Sequence, residues 1–414
     1  MAVIMDMEFE EIGHELTKAM AVYTDRLRKE QLPLPTLRSS SCGSHRLKDN
    51  EGIAAMKRVI ELSQMIHSMA LGPQADLLLV SHQPNLLSCL KTVIDLRVHE
   101  HVPHNGAIIA RDLAVSIQAD EGFLTRIMRV LTNRLVFSQP KPGYYAHNAT
   151  SSALCDPDLC DLMAHRLDLH FRSASRQPDA AAKLGYREPR AGDALGFNLA
   201  FDTQDTFWEH FHEEETGRRF ERAMRAFEKV TAQRIPAMYP FDELTADGGL
   251  IVDVGGGLGQ LGLSILKHHP DCGLRCIVQD KFAELDQAFS HPELEVRQHD
   301  FFTPQPVKGA SAYVFRHIFH NWSDDACVTL LRQTLPALDE SRSRILICDQ
   351  IVGENHESLA ALCDIAMLTL FGGKERTLVE WNSLLSSADP RLKINKIIVD
   401  DASGAAILDV RLQQ

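Results

Sequence analysis

Asp253-Val-Gly-Gly-Gly-Leu-Gly259 is the stretch that says most about the architecture of this chain. The apolar run Leu250-Ile-Val252 precedes it, and Gln260-Leu-Gly-Leu-Ser-Ile-Leu266, which has the pattern of a helix start, follows it directly. Glycines let a backbone approach a ligand closely, and the N–H groups and dipole at a helix N-terminus favour a carboxylate or phosphate. The stretch therefore predicts a strand, a glycine turn and a helix that cradle a small, polar, partly anionic ligand.

The glycine turn taken alone leaves the ligand open, because such a turn serves dinucleotides, S-adenosylmethionine (SAM) or only a tight change of direction. Three aspartates narrow the choice of ligand. Asp253 precedes the glycines, Asp280 ends the segment Cys276-Ile-Val-Gln-Asp280, and Asp300 ends the segment Val296-Arg-Gln-His-Asp300 and is followed by Phe301. An acid after the second strand can accept from ribose hydroxyls, and an acceptor beside a flat ring suits adenine. A single aspartate is often a helix cap, but three after successive strands favour a nucleoside site.

Short apolar runs alternate with helical patterns from residue 250 onward. This alternation is typical of a parallel sheet that is covered by helices on both faces. The predicted strands are Gly249–Val254, Leu274–Gln279, Leu294–Gln298, Ala312–Phe315 and Arg344–Cys348. The tail, Leu392–Val399 and Ala405–Leu412, predicts an antiparallel hairpin that closes the sheet.

Two histidines follow the fourth predicted strand, in the segment Phe315-Arg-His-Ile-Phe-His-Asn-Trp322. Ligands of open α/β sheets bind beyond the carboxyl ends of the strands, so we expect His317 and His320 near the ligand. A neutral imidazole can remove a proton from a hydroxyl, and a carboxylate beside it can orient the ring. The candidate carboxylates are Asp349, at the end of the fifth strand, and Glu375, which equally fits a salt bridge or cap in a polar loop.

Residues 107–154 have the order of elements of a winged-helix module. Two helices are predicted, over 109–117 and 120–131, and two short strands follow around the turn Pro140-Lys-Pro-Gly143. Such a module can bind DNA or serve as a dimerisation scaffold. The second helix offers two arginines beside two acids, and the whole chain has a net charge of −13. Because phosphate neutralisation supplies most of the affinity for nucleic acid, we expect no nucleic-acid partner.

The composition of the 414 residues is that of an ordinary globular protein, with 44% hydrophobic and 24% charged residues. No apolar run approaches the roughly 20 residues that cross a bilayer, so no membrane association is expected. The acidic N-terminus has no signal-peptide layout, which makes the protein's expected location cytoplasmic. Nine scattered cysteines fit reduced thiols, and their spacings are not those of a zinc site, so no metal is expected.

Five motifs in combination resemble those of the class I SAM-dependent O-methyltransferases of the plant and fungal caffeate and flavonoid type. They are Asp253–Gly259, Val278–Asp280, His299–Phe302, Arg316–Asp324 and Gly372–Thr377. The resemblance implies an α/β fold: a Rossmann-like SAM-binding methyltransferase domain with an N-terminal, mainly α, winged-helix dimerisation domain. The expected boundaries are 1–155 for the dimerisation domain, 156–240 for a helical linker and substrate-pocket segment, and 241–414 for the catalytic domain.

The resemblance also implies roles for particular residues. The residues that would bind the cofactor SAM are Asp253, Gly255, Gly257, Asp280, Asp300, Phe301 and Arg316. His320 falls on the family's catalytic base, and Asp349 and Glu375 fall on its two flanking acids. The implied partners are a small-molecule substrate and a second copy of the chain in a homodimer.

A further set of large side chains would line the substrate pocket. Its candidates are His147, Trp208, Phe211, Met224, Met367 and Phe371. The rings and thioether between residues 207 and 224 recur at helical spacing, a pattern that is more often plain core than pocket, and a histidine at position 147 is more often a packing residue of the wing or between domains.

The predicted function is transfer of the SAM methyl to a hydroxyl of a small aromatic or polyketide-like secondary metabolite, with His320 as general base. Two departures from the family pattern leave an alternative open, since Asn321 replaces a frequent aspartate and Asp349 a more usual glutamate. Some fungal relatives of the fold bind SAM without methylating, so a cyclase or pericyclase acting on a natural-product intermediate is the alternative. A winged-helix regulator is less favoured because the chain is acidic, and a nicotinamide enzyme is less favoured because it does not explain the histidine–carboxylate cluster.

Overall fold

The computed structural model describes residues 7–38, 47–210, 222–224, 226, 235–281, 289–353, 358–400 and 405–413. The chain divides into two compact units, Met1–Phe171 with Arg219–Ala223 and Arg172–Arg218 with Met224–Gln414. The division into three parts that is expected from the sequence stays a prediction.

The N-terminal unit is built mainly of helices. They are α1 (Phe9–Lys29), α2 (Asn50–Leu71), α3 (Pro73–Ser81), α4 (Gln83–Asp95), α5 (Val98–His101), α6 (Ala110–Ser116), α7 (Glu121–Asn133), α8 (Ala149–Ala153) and α9 (Pro157–Ala174), most of which belongs to this unit. α1 packs against α2 and buries Ile12 and Leu27 completely. Gly52 permits this close approach, because a Cβ there would lie 2.8 Å from Cβ of Arg26.

The winged-helix module predicted from the sequence lies within this unit. α6 and α7 accompany a three-stranded sheet of β1 (Ile108–Ile109), β2 (Ser138–Lys141) and β3 (Tyr144–Ala146), in the order β1-β3-β2. The turn is shorter than predicted, because Pro140 belongs to β2. An edge strand such as β2 tolerates a residue without an N–H group. The module closes over a core that includes Leu113, Leu124, Met128, Leu131, Phe137 and Tyr145.

The C-terminal unit contains a seven-stranded sheet with the order β6-β5-β4-β7-β8-β10-β9. The strands are β4 (Leu250–Val254), β5 (Arg275–Asp280), β6 (Leu294–Gln298), β7 (Ala312–Arg316), β8 (Arg344–Gln350), β9 (Leu392–Val399) and β10 (Ala405–Leu412). β4 to β8 are parallel, and β9 and β10 form the antiparallel hairpin predicted for the tail. The predicted strands are confirmed to within two residues at each end.

Helices cover both faces of this sheet. The helices of this unit are α10 (Gln177–Lys183), α11 (Gly196–Phe201), α12 (Phe207–His210), α13 (Ile235–Met238), α14 (Gln260–His268), α15 (Asp324–Thr334), α16 (Ser358–Phe371) and α17 (Leu378–Ala388), with 3₁₀ turns at Phe241–Asp247, Phe319–Asn321 and Leu335–Ala337. Tyr313 and Val314, successive residues of β7, are both fully buried but belong to different apolar clusters, as alternating side chains of a doubly covered strand must. Across the described ranges of the chain, no helix combines the length and apolar character needed to span a membrane.

The strand order reverses between β4 and β7, which are hydrogen-bonded neighbours. In open α/β sheets a ligand binds at such a switch point, beyond the carboxyl ends of the strands. The glycine loop follows the carboxyl end of β4, and His317 follows the carboxyl end of β7. The topology therefore brings the two motifs of the sequence together at one edge of the sheet.

Candidate active site

The glycine loop joins β4 to α14. Gly255, Gly257 and Gly259 have φ angles of +71°, +56° and +95°, which residues with a side chain rarely adopt. A Cβ on Gly255 would collide with Ile318, whereas a Cβ on Gly257 would meet no atom of the described residues within 4 Å. The loop is therefore packed against the protein at Gly255 and open at Gly257, where a ligand can approach the backbone.

Two carboxylates border this loop. Asp253 is buried, and its Oδ2 lies 2.6 Å from the place where a Cβ of Gly256 would stand. Asp280 ends β5, and its Oδ2 accepts a hydrogen bond from the N–H of Gly257 at 3.0 Å. β5 runs parallel to β4 and pairs with it, so the ends of both strands lie at the same edge. The predicted acids Asp253 and Asp280 are thus brought together around the glycines.

Asp300 and Phe301 follow β6, the next strand of the sheet. Asp300 accepts from the N–H of Phe302 at 3.0 Å and pairs with Nζ of Lys281 at 3.1 Å. Burial raises the pKa of Asp300, but these contacts outweigh burial and hold the pKa below its usual range. The ring of Phe301 lies beside the loop, with Cε1 3.6 Å from the Cβ position of Gly255. A charged acceptor and a flat apolar ring therefore stand next to the glycines, an arrangement that fits a nucleoside.

His320 lies in the 3₁₀ turn after β7. Its Nδ1 is 2.8 Å from Oε1 of Glu375, and the two side chains are 14% and 3% exposed. Burial lowers the pKa of His320, but the hydrogen bond to Glu375 and the charges of Asp349 and Glu375 more than offset burial and raise the pKa above its usual value. Because a carboxylate oxygen only accepts, the ring proton is assigned to Nδ1, which leaves Nε2 as the basic nitrogen.

Gly373 allows Glu375 to reach the histidine. A Cβ on Gly373 would overlap the carbonyl oxygen of His320 and would lie 2.6 Å from the carbonyl carbon of Asn321. The N–H of Glu375 donates to Oδ1 of Asp364 at 2.8 Å, which fixes the backbone at the carboxylate. No pattern in the sequence points to Asp364, because it lies 11 residues before Glu375 on a different element.

Arg376 holds the other side of the histidine turn. Its side chain is fully buried and donates to the carbonyl oxygens of Phe319 and Trp322 at 2.9 and 2.8 Å. It also contacts Oδ1 of Asp324 at 2.8 Å, at the start of α15. The turn that carries His320 is therefore fastened by a residue adjacent to Glu375.

Asp349, in β8, lies close to two imidazoles. The ring of His317 stacks on that of His320 with centroids 5.2 Å apart and an interplanar angle of 27°. One nitrogen or oxygen atom from each of these three side chains falls within 4.8 Å of the other two. Oδ1 of Asp349 lies 3.8 Å from Nδ1 of His317, and neither carboxylate oxygen has a hydrogen-bond partner among the described residues. Burial raises the pKa of Asp349 to about 6, although the neighbouring His320 lowers it.

Five of the predicted pocket residues belong to the C-terminal unit, and the described part of the chain gives contacts for three of them. Trp208 stacks on Phe371 with ring centroids 5.3 Å apart at 23°, and the main-chain oxygen of Met367 accepts from Gly373 at 3.3 Å. Met224 is half-buried, and Phe211 lies outside the described residues. The structure therefore brings Trp208 and Phe371 together and ties the segment of Met367 to the loop that carries Glu375.

His147 belongs to the N-terminal unit. It is 6% exposed, with Nδ1 3.1 Å from the hydroxyl of Ser151 and Nε2 3.1 Å from the carbonyl oxygen of Val102. Burial lowers the pKa of His147 below its usual value. Within its own unit, the ring therefore has the contacts of a packing residue.

Known proteins resemble this chain in both sequence and fold. Residues 187–389 match the family model of the O-methyltransferase domain, and residues 82–157 match that of the O-methyltransferase dimerisation domain. The chain is 48% identical to O-methyltransferase penK of Penicillium thymicola over 408 residues, which cover 98% of this chain and 96% of that protein. The fold is similar to that of OxaC, solved in complex with SAH and oxaline (TM-score 0.79, 24% identity, 97% and 100% coverage), and to that of a pericyclic reaction enzyme (TM-score 0.78, 22% identity, 96% and 99% coverage).

Proposed function

The chain belongs to the family of SAM-dependent O-methyltransferases, and we propose that it methylates a hydroxyl of a small aromatic or polyketide-like secondary metabolite with His320 as the general base. The observation that supports this base is the buried 2.8 Å contact between Nδ1 of His320 and Oε1 of Glu375. His320 lies shortly after Ile318, whose side chain packs against Gly255 of the glycine loop. A polarised imidazole thus stands at the same edge of the sheet as the nucleoside site.

SAM, when bound, supplies a methyl group that its sulfonium has already activated. The open backbone at Gly257 and the close packing at Gly255 suit the amino-acid part of this cofactor. Asp280 offers a carboxylate that can accept from ribose hydroxyls, and the buried side chain of Asp253 packs against Gly256 of the loop. The remaining contacts, to the adenine and along the end of β7, are assigned to Asp300, Phe301 and Arg316.

His320 removes the proton of the substrate hydroxyl through Nε2 in this proposal. The donated Nδ1–H bond to Glu375 orients the ring, and the carboxylate stabilises the imidazolium that forms. General-base help of this kind contributes about 10²- to 10⁴-fold to a rate, and positioning of the two reactants contributes the rest. The raised pKa of His320 makes it a stronger base than an ordinary buried histidine.

The acceptor pocket is assigned to the side chains named from the sequence. Trp208 and Phe371 form a stacked pair that can hold a flat substrate, and Met367 lies one turn before Phe371 on α16. Met224 and His147 are further candidates, and Phe211 is a candidate that lies outside the described residues. Apolar and aromatic lining with few polar groups is the usual character of such pockets.

Residues 1–155 are proposed to hold two copies of the chain together. Three neighbouring apolar side chains of α3, Leu77, Leu78 and Val80, are 70%, 62% and 60% exposed. Exposed apolar groups of this density are typical of surfaces that a partner covers. Light scattering is expected to give the mass of a dimer, and a concentration-independent monomer would refute the assignment.

The decisive experiment removes the base. Wild type and His320→Asn are incubated with SAM and a panel of phenols and enols, and S-adenosylhomocysteine is measured by mass spectrometry. We expect the variant to be slower by about 10²-fold or more while its heat of SAM binding is unchanged. His291→Asn, at a histidine outside this cluster, is the matched control.

Two results would contradict the proposal. An unchanged methylation rate in His320→Asn would exclude this residue as the base. Conversion of a substrate without release of S-adenosylhomocysteine would instead favour the cyclase or pericyclase alternative, in which SAM is bound but not consumed.

A further inference from the structure

His317 has a backbone conformation that only a surrounding structure can maintain. Its φ is +52°, in the left-handed region that costs a residue with a side chain about 1–2 kcal/mol. The main chain is held there from both sides: the N–H donates to the carbonyl oxygen of Cys348 at 3.2 Å, and the carbonyl oxygen accepts from Nδ2 of Asn321 at 2.8 Å. Such strain is concentrated at functional sites, where it places a side chain that an extended strand could not place.

In this conformation, the side chain of His317 lies beside both His320 and Asp349. Its ring stacks on His320, and its Nδ1 lies 3.8 Å from Oδ1 of Asp349, whose side chain is 2% exposed. This distance is longer than a hydrogen bond, yet neither oxygen of Asp349 has a hydrogen-bond partner among the described residues. A buried carboxylate without a partner is costly. The backbone of His317 already lowers the pKa of Asp349, and the ring nitrogen of His317 lies near enough to add to that effect.

We propose that His317 is a positioning residue which, together with Asp349, forms a second imidazole–carboxylate pair stacked against the His320–Glu375 pair. The inference rests on the proposed function, in which His320 is the base. The stacked ring covers one face of His320 and restrains it in the orientation that keeps Nδ1 on Glu375. Its nitrogen holds Asp349 in the charged form, so that the carboxylate stabilises the imidazolium of His320 during the reaction.

The charges around the cluster agree with a neutral, positioning His317 beside a His320 that takes up the proton. Burial, together with His320 and Arg316, lowers the pKa of His317 well below its usual value, so this ring stays neutral when its neighbour gains a proton. The charged groups that act on His320 are Glu375, Asp349 and Arg376, and the two carboxylates raise its pKa. Loss of the charge on Asp349 should therefore lower the pKa of His320 and extend its basic form to lower pH.

The test separates the stacking ring from the nitrogen. His317→Phe keeps a ring and removes both nitrogens, whereas His317→Asn keeps a side-chain N–H and tolerates the left-handed backbone. We expect His317→Phe to lower kcat about 10- to 100-fold with unchanged SAM binding. We also expect it to move the acidic limb of the kcat–pH profile to lower pH, as Asp349→Asn does. His317→Asn should restore the position of that limb, because it retains the donor.

A double variant measures the coupling directly. If Asp349 acts through His317, then His317→Phe with Asp349→Asn is no slower than the slower of the two single variants. Should His317→Phe fail to fold, His317→Gly replaces it, because glycine removes the side chain without backbone strain. Thermal unfolding and SAM titration verify the fold of each variant.

The proposal is overturned if Asp349→Asn moves the acidic limb while His317→Phe leaves it in place, or if the two losses multiply. Either result would mean that Asp349 acts on His320 directly. Failure of the proposed function is a separate outcome, since His320→Asn would then retain methyl transfer whatever His317 does.

Discussion

His147 in the N-terminal unit and His320 in the C-terminal unit are both largely buried, yet their partners make them different chemical groups. The ring nitrogens of His147 face a hydroxyl and a carbonyl oxygen, both uncharged. Nδ1 of His320 faces the carboxylate of Glu375 at 2.8 Å. Burial lowers the pKa of both rings, but only for His320 do carboxylates reverse the direction.

The comparison shows that burial alone does not identify a catalytic histidine. A buried imidazole whose two nitrogens meet neutral groups is a neutral packing residue, because charging it would cost desolvation with no compensation. An imidazole with one nitrogen on a carboxylate keeps the other as a base and gains stabilisation when it takes a proton. The identity of the partner, more than depth in the protein, therefore determines the direction in which the pKa of each ring is shifted.

Removal of the carboxylate should have the largest effect. We expect Glu375→Gln to lower kcat about 10²-fold or more, because the imidazolium of His320 loses its charged partner. Since Glu375 raises the pKa of His320, the acidic limb of the kcat–pH profile should also move to lower pH. Steady-state kinetics between pH 5 and 9 measures both quantities.

Ser151→Ala is the matched control, because it removes the corresponding side-chain partner of His147. It should leave kcat and its pH profile unchanged and reduce only the stability of the N-terminal unit. If Glu375→Gln left the pH profile in place, the contrast between the two histidines would not rest on the carboxylate.

A smaller loss of activity is expected when Glu375 is kept but its segment is prevented from lying close to His320. In Gly373→Ala, the new Cβ would overlap the carbonyl oxygen of His320 and lie 2.7 Å from the N of Trp322. These are backbone atoms that cannot rotate away, so the two segments must separate, at a cost of about 1–3 kcal/mol. We expect a lower melting temperature and a lower kcat, measured by calorimetry and kinetics.

Gly353→Ala is the control for this change, because a Cβ there meets no atom of the described residues within 4 Å. It should behave as wild type. Equal melting temperatures for the two variants would show that the close approach at Gly373 does not hold the Glu375 segment in place.

The central strands of the sheet could be predicted from the sequence because they are buried on both faces. β8 carries the unbroken apolar run Ile345–Ile347, and Val252 and Val314 stand in similar runs of β4 and β7. Such runs, separated by helical patterns, leave little freedom in the assignment of strands. Pro140 was harder to place, because whether proline ends a strand depends on which edge of the strand is paired.

The site could be predicted in its residues more than in its contacts. Motifs point to His320 and Glu375, which the structure joins, but they do not reveal that Asp364 accepts from the N–H of Glu375. The proximity of His317 to Asp349 depends on the positive φ of His317, and no pattern in the neighbouring residues requires that conformation. Side-chain contacts between distant elements follow from backbone geometry, which one sequence does not contain.

The smallest expected effect is on the pH dependence of stability, to which His147 and His320 should contribute with opposite signs. Because the pKa of His147 is lower in the folded chain than the usual value near 6.5, the unfolded chain binds a proton that the folded chain refuses as the pH falls through about 6.5. His147 therefore removes stability at acidic pH. The pKa of His320 is raised, so its contribution is complete below about 6.5 and is lost as the pH rises through the folded value.

Replacement of each histidine by asparagine should thus change the pH dependence of stability in opposite directions. Between pH 8 and 5.5, His147→Asn should lose less stability than wild type, whereas His320→Asn should lose more. Scanning calorimetry at several pH values measures the difference, which stays small because one pKa unit corresponds to about 1.4 kcal/mol. If both variants changed the slope with the same sign, the charge on Glu375 could not be what separates His320 from a packing histidine, and the base would have to be sought elsewhere in the cluster.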